Sequence, residues 1–143
     1  MSKKTILLID DEQMFLEPLS DALEFEGHRV LKARTAHEGL IIMKREKIDL
    51  VTIDIMLDPG DELKSKLNSH YTGLFLCEEI RNKYPNVDAI CISVISDIGT
   101  IRKIESLGIQ FLRKGETPLR TVLNILRSRL TGIAYSTERD RHL

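Results

Sequence analysis

The 143-residue sequence predicts one α/β domain built on a doubly wound, five-stranded parallel sheet in the order 2-1-3-4-5. Short apolar runs alternate along the chain with segments of helical periodicity, which is the pattern of repeated βα units. These runs are mostly apolar at successive positions, as expected of strands that helices cover on both faces. Right-handed crossovers leave few ways to connect such units, and this strand order is a common one.

The first half of the chain carries three predicted strands and two predicted helices. Apolar residues recur at helical spacing from Phe15 to Leu23, and Gly27 follows as expected for a glycine that ends a helix. Thr35 is the predicted N-cap of the second helix, because its hydroxyl can accept a bond from a free backbone N–H. The predicted strands are residues 6–9, 30–33 and 48–55.

The second half repeats the alternation. One apolar stripe over residues 74–84 predicts the third helix, which Pro85 follows, and an apolar repeat over 98–107 predicts the fourth. The last helix is predicted to have Thr117 as its N-cap and Pro118 as its first residue. The remaining strands are predicted at residues 89–95 and 109–113.

Composition and charge argue against several classes of protein. The hydrophobic content of 42% and the charged content of 30% are those of an ordinary globular chain. A net charge of -1 provides no excess of positive charge for binding nucleic acid or an anionic membrane. No apolar stretch reaches the roughly 18 residues that a membrane span requires. Cys77 and Cys91 lack metal or redox spacing, which favours buried, reduced thiols. We therefore expect a cytoplasmic protein whose start is not a signal peptide.

Acidic residues end two strands that are neighbours in the predicted order. Asp10 and Asp11 follow the first strand, and Asp54 lies at the end of the third. The carboxyl ends of these strands flank the switch point where such sheets place ligands. Three carboxylates at one edge repel each other unless a cation lies between them, and Mg²⁺ prefers oxygen ligands. The sequence therefore predicts a site for Mg²⁺ or Mn²⁺ at this edge.

Two more side chains at strand ends suit a phosphoryl group. Ser93, near the end of the fourth strand, offers a hydroxyl donor, and Lys114, just past the fifth, offers an ammonium ion. Phosphoryl transfer requires mainly positioning and neutralisation of charge, and acids, hydroxyl and lysine together provide both.

These motifs resemble the response-regulator receiver domain of two-component signalling, in particular its single-domain, chemotaxis-regulator-like form. The resemblance spans residues 5–130 and implies the flavodoxin-like receiver fold. It is carried by four segments that each end a strand: Ile-Leu-Leu-Ile-Asp-Asp-Glu at 6–12, Val-Thr-Ile-Asp-Ile-Met at 51–56, Cys-Ile-Ser at 91–93 and Phe-Leu-Arg-Lys at 111–114.

The resemblance implies a role for each acid. Asp54 is the implied nucleophile that takes a phosphoryl group from a phosphohistidine on a sensor histidine kinase or phosphotransfer protein. Asp11 is the implied direct ligand of the metal ion, and Asp10 acts largely through water. Asp54 and the backbone carbonyl of Met56 complete the implied ligand set.

The resemblance also implies a switch. Ser93 and Lys114 are expected to hold the phosphoryl oxygens, and movement of Ser93 vacates space that Phe111 fills. The rearranged face of helix four, strand five and helix five is then expected to bind a downstream protein. The chain is expected to be no enzyme beyond slow self-dephosphorylation, and homodimerisation is left open.

Three features depart from the family pattern. The loop before Gly73 is longer than usual by an insertion at residues 58–72, interpreted either as a solvated surface loop or as a lid or docking segment. Val94 replaces a smaller residue and is expected to narrow access to the phosphoryl group. Gly115 replaces a proline, so a trans or rearranged connection is expected after Lys114.

The predicted organisation is a receiver domain at residues 1–131 and a C-terminal tail at 132–143. Three alternatives stay open at this point. The chain is a receiver fragment of a larger regulator or hybrid kinase, or a degenerate receiver that binds proteins without phosphorylation. The third is a Mg²⁺-dependent phosphatase, which is disfavoured because Met56 stands where such enzymes generally have a second acid.

Overall fold

The computed structural model describes residues 3–64 and 72–132. Within these ranges, strands and helices alternate from a first strand to a last helix, as the sequence predicts. The elements are β1 (Thr5–Ile9), α1 (Gln13–Phe25), β2 (Arg29–Ala33), α2 (Ala36–Arg45), β3 (Leu50–Ile53), α3 (Thr72–Lys83), β4 (Asp88–Ser93), α4 (Ile98–Ser106), β5 (Gln110–Arg113) and α5 (Leu119–Thr131).

The strands form one parallel sheet in the order β2-β1-β3-β4-β5, which confirms the predicted topology. In the register of β1 and β3, Ile9 lies opposite Ile53. The Asp54 N–H extends this pairing by donating to the Ile9 carbonyl at 3.1 Å. Asp10 and Asp54 therefore leave the sheet side by side at its carboxyl edge.

The hydrophobic core has one cluster on each face of the sheet. Leu7, Ile9 and Val51 point into the cluster beneath α2, α3 and α4. Ile6, Leu8 and Leu50 point into the cluster beneath α1 and α5. Alternate side chains of one strand thus enter opposite clusters, which is why these strands are apolar at successive positions.

Some predicted boundaries are wrong. The last helix begins at Leu119, one residue later than predicted, because Pro118 has an extended ψ of 144° and itself occupies the N-cap position. The Thr117 N–H instead donates to the Arg113 carbonyl, closing the turn after β5. β3 spans four residues and ends at Ile53, so the predicted strand at 48–55 was too long at both ends.

The first part of the insertion packs against α2. The N–H of Ala36 donates to the Asp58 carbonyl at 3.0 Å, and the N–H of His37 to the Pro59 carbonyl at 3.2 Å. Pro59 is buried, and Leu63 packs against the core. This part is therefore docked on the start of α2 instead of being a fully solvated loop. Residues 65–71 of the insertion lie outside the described residues.

The structure also bears on the predictions made for the cysteines, for membrane-spanning segments and for the C-terminal tail. Cys77 and Cys91 are free and buried, as predicted. None of the helices in residues 3–64 and 72–132 combines the length and apolar character that crossing a membrane requires. Gly132, placed in the predicted tail, ends α5 with a φ of 72°, and residues 133–143 lie outside the described part of the chain.

Candidate functional site

Three carboxylates converge at the carboxyl edge of the sheet. Asp10, Asp11 and Asp54 each place one carboxylate oxygen within 4.8 Å of the others. Asp10 and Asp54 are buried, whereas Asp11 is exposed at the mouth of the site. The acids come together because β1 and β3 are neighbours and end at the same level.

Lys114 reaches into this cluster from the end of β5. Its Nζ is 2.7 Å from Asp10 Oδ2 and 3.4 Å from Asp54 Oδ2, and 7% of its side chain is exposed. The Lys114 N–H donates to the Ser93 carbonyl at 2.9 Å, which fixes the start of the side chain beside β4. The sequence-predicted lysine therefore joins the acids in one site.

Burial raises the pKa of Asp10 to about 6, against the opposing effects of its bonds to Lys114 and to the Glu12 N–H. Burial alone would lower the pKa of Lys114, because it disfavours the charged ammonium form. The bond to Asp10 and the charges of Asp54 and Asp10 outweigh that effect, so the pKa of Lys114 is raised. The two shifts have different causes: the loss of water raises the pKa of Asp10, and the neighbouring carboxylates raise that of Lys114.

The Asp10 pKa predicts a pH dependence of folding in the metal-free protein. Because the folded-state pKa is raised from 3.8, stability from this group is fully present below about pH 4 and is lost as pH rises through about 6. Between about pH 4 and 7, the free energy of unfolding of the parent protein should fall by up to about 3 kcal/mol relative to that of Asp10→Asn. Denaturant unfolding in EDTA at several pH values measures this difference, and parallel curves for the two proteins would contradict it.

Ser93 lies at the end of β4 and is fully buried. Among residues 3–64 and 72–132, no group bonds its Oγ, so the hydrogen-bonding capacity of this hydroxyl is unused. A buried hydroxyl without a partner is costly, and such groups often mark a site that a ligand completes.

Met56 and Phe111 are placed near the site in different ways. The Met56 N–H donates to Asp54 Oδ1 at 3.2 Å, and Met56 as a residue is 48% exposed. Phe111 lies opposite Cys91 in the register of β4 and β5 and is half-buried against the core. The implied roles of the Met56 carbonyl in metal binding and of Phe111 in switching stay predictions.

The structure describes residues from each of the three departures from the family pattern. No peptide bond in the described part of the chain is cis, and Gly115 has a φ of 89°, so the expected trans connection after Lys114 is confirmed. Val94 is 56% exposed, and its effect on access to the site stays a prediction. In the insertion, the Asp58 carboxylate accepts a bond from the Gly60 N–H at 2.8 Å.

Two contributions to the site were missed from sequence. The Lys114 Nζ lies 4.7 Å from the centroid of the Phe15 ring, an aromatic that the periodicity assigns only to the apolar face of α1. Gly73, at the start of α3, donates its N–H to the Ile55 carbonyl at 2.9 Å. Its position brings α3 directly against the backbone of Asp54, and only the glycine itself hinted at such a close approach.

The donor set fits a hard divalent cation. Mg²⁺ and Mn²⁺ bind carboxylate oxygens, and three such oxygens from Asp10, Asp11 and Asp54 converge here. Lys114 balances only part of their charge, which leaves the site electrostatically suited to a cation. Among residues 3–64 and 72–132, no His or Cys joins this cluster, so the described ligands do not indicate a soft metal.

Comparison with known proteins agrees with this geometry. The family model described as a response regulator receiver domain matches residues 6–125. A CheY-like receiver domain protein from Methanospirillum hungatei is 26% identical, with a TM-score of 0.75 and coverage of 92% of this chain and 96% of that one. A two-component response regulator from Clostridium difficile has the same fold, at 23% identity, a TM-score of 0.74 and coverage of 90% and 96%.

A curated relative from Porphyridium aerugineum, the probable transcriptional regulator ycf27, is 34% identical over 98 residues. The match covers 68% of this chain but 36% of that protein, and a Bacillus subtilis relative, YvrH, is matched over 24% of its length. The chain thus spans about a third or less of these relatives.

Proposed function

The chain belongs to the response regulator receiver family of two-component signalling, and we propose that it acts by accepting a phosphoryl group on Asp54. The proposed donor is a phosphohistidine on a sensor histidine kinase or phosphotransfer protein in the cytoplasm. The single observation that carries the proposal is the convergence of Lys114, Asp10 and Asp54, with a 2.7 Å bond from the lysine to Asp10.

In the proposed reaction an Asp54 carboxylate oxygen attacks phosphorus. An O–P bond forms while the N–P bond to the donor histidine breaks, and the leaving imidazole nitrogen keeps the electron pair. The Met56 N–H and the Lys114 ammonium, at 3.2 and 3.4 Å from the two Asp54 oxygens, hold the carboxylate in place. Positioning of this kind supplies much of the acceleration of phosphoryl transfer.

Side chains of this protein stabilise the negative charge on the transferred phosphoryl group. Lys114 supplies a positive charge to one phosphoryl oxygen, and the unpartnered Ser93 hydroxyl supplies a hydrogen bond to another. Asp10, Asp11, Asp54 and the Met56 carbonyl would hold Mg²⁺ or Mn²⁺. Such an ion, when bound, neutralises charge that develops on the phosphoryl oxygens.

The proposed output is binding of a downstream protein by the face of α4, β5 and α5. Ser93 and Lys114 connect the site to this face, because the Lys114 N–H bonds the Ser93 carbonyl between β4 and β5. Movement of Ser93 toward the phosphoryl group, with Phe111 following, would shift a two-state equilibrium. We propose no catalytic turnover beyond slow self-dephosphorylation.

The test is incubation of the purified chain with Mg²⁺ and acetyl phosphate, followed by intact mass measurement. We expect the mass to increase by one phosphoryl group in the parent protein. Asp54→Asn should show no increase, because an amide cannot form the acyl phosphate. Omission of Mg²⁺ should also remove the increase.

The same experiment separates the alternatives. A folded parent protein with no adduct would favour the degenerate receiver, which binds partners without phosphorylation. Sustained hydrolysis of phosphomonoesters, far beyond one turnover per chain, would favour the phosphatase instead.

A further inference from the structure

We propose that Phe15 is a positioning residue that holds the Lys114 ammonium group over the face of its ring. The Lys114 Nζ lies 4.7 Å from the ring centroid, within the distance at which a cation is attracted by an aromatic face. The kinetic consequence of this contact rests on the proposed function, but the contact itself does not.

The backbone around Lys114 does little to direct its side chain. The bond from its N–H to the Ser93 carbonyl fixes only where the side chain begins. The next residue, Gly115, has a left-handed φ of 89°, and a Cβ there would meet nothing within 4 Å. A lysine stem has many rotamers, so contacts near its ammonium end must select the conformation that faces the acids.

A groove beside Lys114 could accommodate its ammonium group in a second position. This cavity of about 340 Å³ lies between the first turn of α1 and residues 114–119. Phe15 and Lys114 both line it, together with the exposed Met14. Without the attraction of the ring, the ammonium group has room to leave the acids for this solvent-accessible groove.

The ring also provides a hold that does not depend on the charge of the acids. A divalent cation competes with Lys114 for Asp10, and phosphorylation moves the negative charge of Asp54 from its carboxylate oxygens to the phosphoryl oxygens. The quadrupole of a phenyl ring is the same in every one of these states. Phe15 thus keeps the ammonium group close to the transferred oxygens throughout the proposed reaction.

Phe15 is itself held on a rigid element. It lies in the first turn of α1, where its N–H donates to the Glu12 carbonyl at 3.1 Å. The Glu12 N–H in turn donates to Asp10 Oδ1 at 2.8 Å, which ties the start of the helix to the site. The Phe15 side chain packs against the cluster beneath α1 and α5.

The test replaces Phe15 with 3,4,5-trifluorophenylalanine, which weakens the negative ring face with little change in shape. In the Mg²⁺-free protein, NMR of the Lys114 ε-methylene should show a smaller upfield ring-current shift and a more disordered side chain. With Mg²⁺ and acetyl phosphate, the rate of adduct formation should fall about three- to tenfold. The unfolding temperature should fall by about 5 °C or less, since only this contact is weakened, and Phe15→Tyr should retain both the NMR signal and the rate.

Phe25 provides the matched control, because it lies on the same helix and is 93% exposed. Its trifluorination should leave the Lys114 signal and the rate unchanged. An unchanged Lys114 signal in the Phe15-fluorinated protein would overturn the proposal, whatever happens to phosphorylation. If the Lys114 signal changes as expected but even the parent forms no adduct, Phe15 holds the lysine and the proposed function is wrong.

Discussion

Replacing Gly73 with alanine is expected to lower the free energy of unfolding by about 3 kcal/mol or more, since the added methyl group would strike backbone. A Cβ at this position would lie 2.8 Å from the Asp54 carbonyl carbon and closer still to the Asp54 oxygen and the Ile55 Cα. Backbone at the end of β3 cannot rotate away as a flexible side chain can. Denaturant unfolding of parent and variant measures the loss.

Gly99→Ala is the matched control for this substitution. Gly99 also lies early in a helix, and a Cβ there would meet only Asp97 Oδ2, at an unstrained 3.8 Å. Alanine should stabilise α4 there by up to about 1 kcal/mol, because it has the higher helix propensity. If Gly73→Ala proves no more destabilising than Gly99→Ala, α3 does not pack against Asp54 as closely as described.

Replacing Lys114 with methionine is expected to destabilise the metal-free protein by about 3 kcal/mol near pH 8, since it leaves buried carboxylates without a counter-charge. The Lys114 side chain is 7% exposed, so water screens the lost contacts only weakly. Added Mg²⁺ should restore more stability in this variant than in the parent, because the ion supplies positive charge to the same acids. Unfolding in EDTA and in Mg²⁺ measures both effects.

Lys83→Met serves as the control for the loss of a lysine. Lys83 pairs with Glu79 at 2.9 Å, but its side chain is 62% exposed. Such a surface pair contributes about 0.5 kcal/mol or less, and its loss should not alter the effect of Mg²⁺. If Lys114→Met is as stable as the parent in EDTA, the lysine does not balance the charge of Asp10 and Asp54.

The order of elements and the acids of the site were predictable because they follow from local pattern. Apolar runs that end in Asp10 and Asp54 identify two strand ends, and parallel topology then brings those ends together. The same reasoning placed Ser93 and Lys114 correctly at the same edge of the sheet. None of these inferences requires knowing where an individual side chain points.

What could not be predicted depends on three-dimensional packing. The contact of Phe15 with Lys114 joins residues far apart in sequence through the orientation of one ring. The docking of Asp58 and Pro59 on the start of α2 depends on free N–H groups there that any nearby carbonyl can accept from. The start of α5 was misplaced because both Thr117 and Pro118 are common at helix starts and only backbone angles distinguish them.

The most direct test of the account locates the phosphoryl group on the chain. The protein is incubated with Mg²⁺ and acetyl phosphate and then reduced with borohydride, which converts an aspartyl phosphate to homoserine. Peptide mass spectrometry should find homoserine at position 54 and unmodified aspartate at positions 10 and 11. Homoserine at position 10 or 11, or none at all in a protein that carries the adduct, would contradict the assignment of Asp54 as the phosphoacceptor.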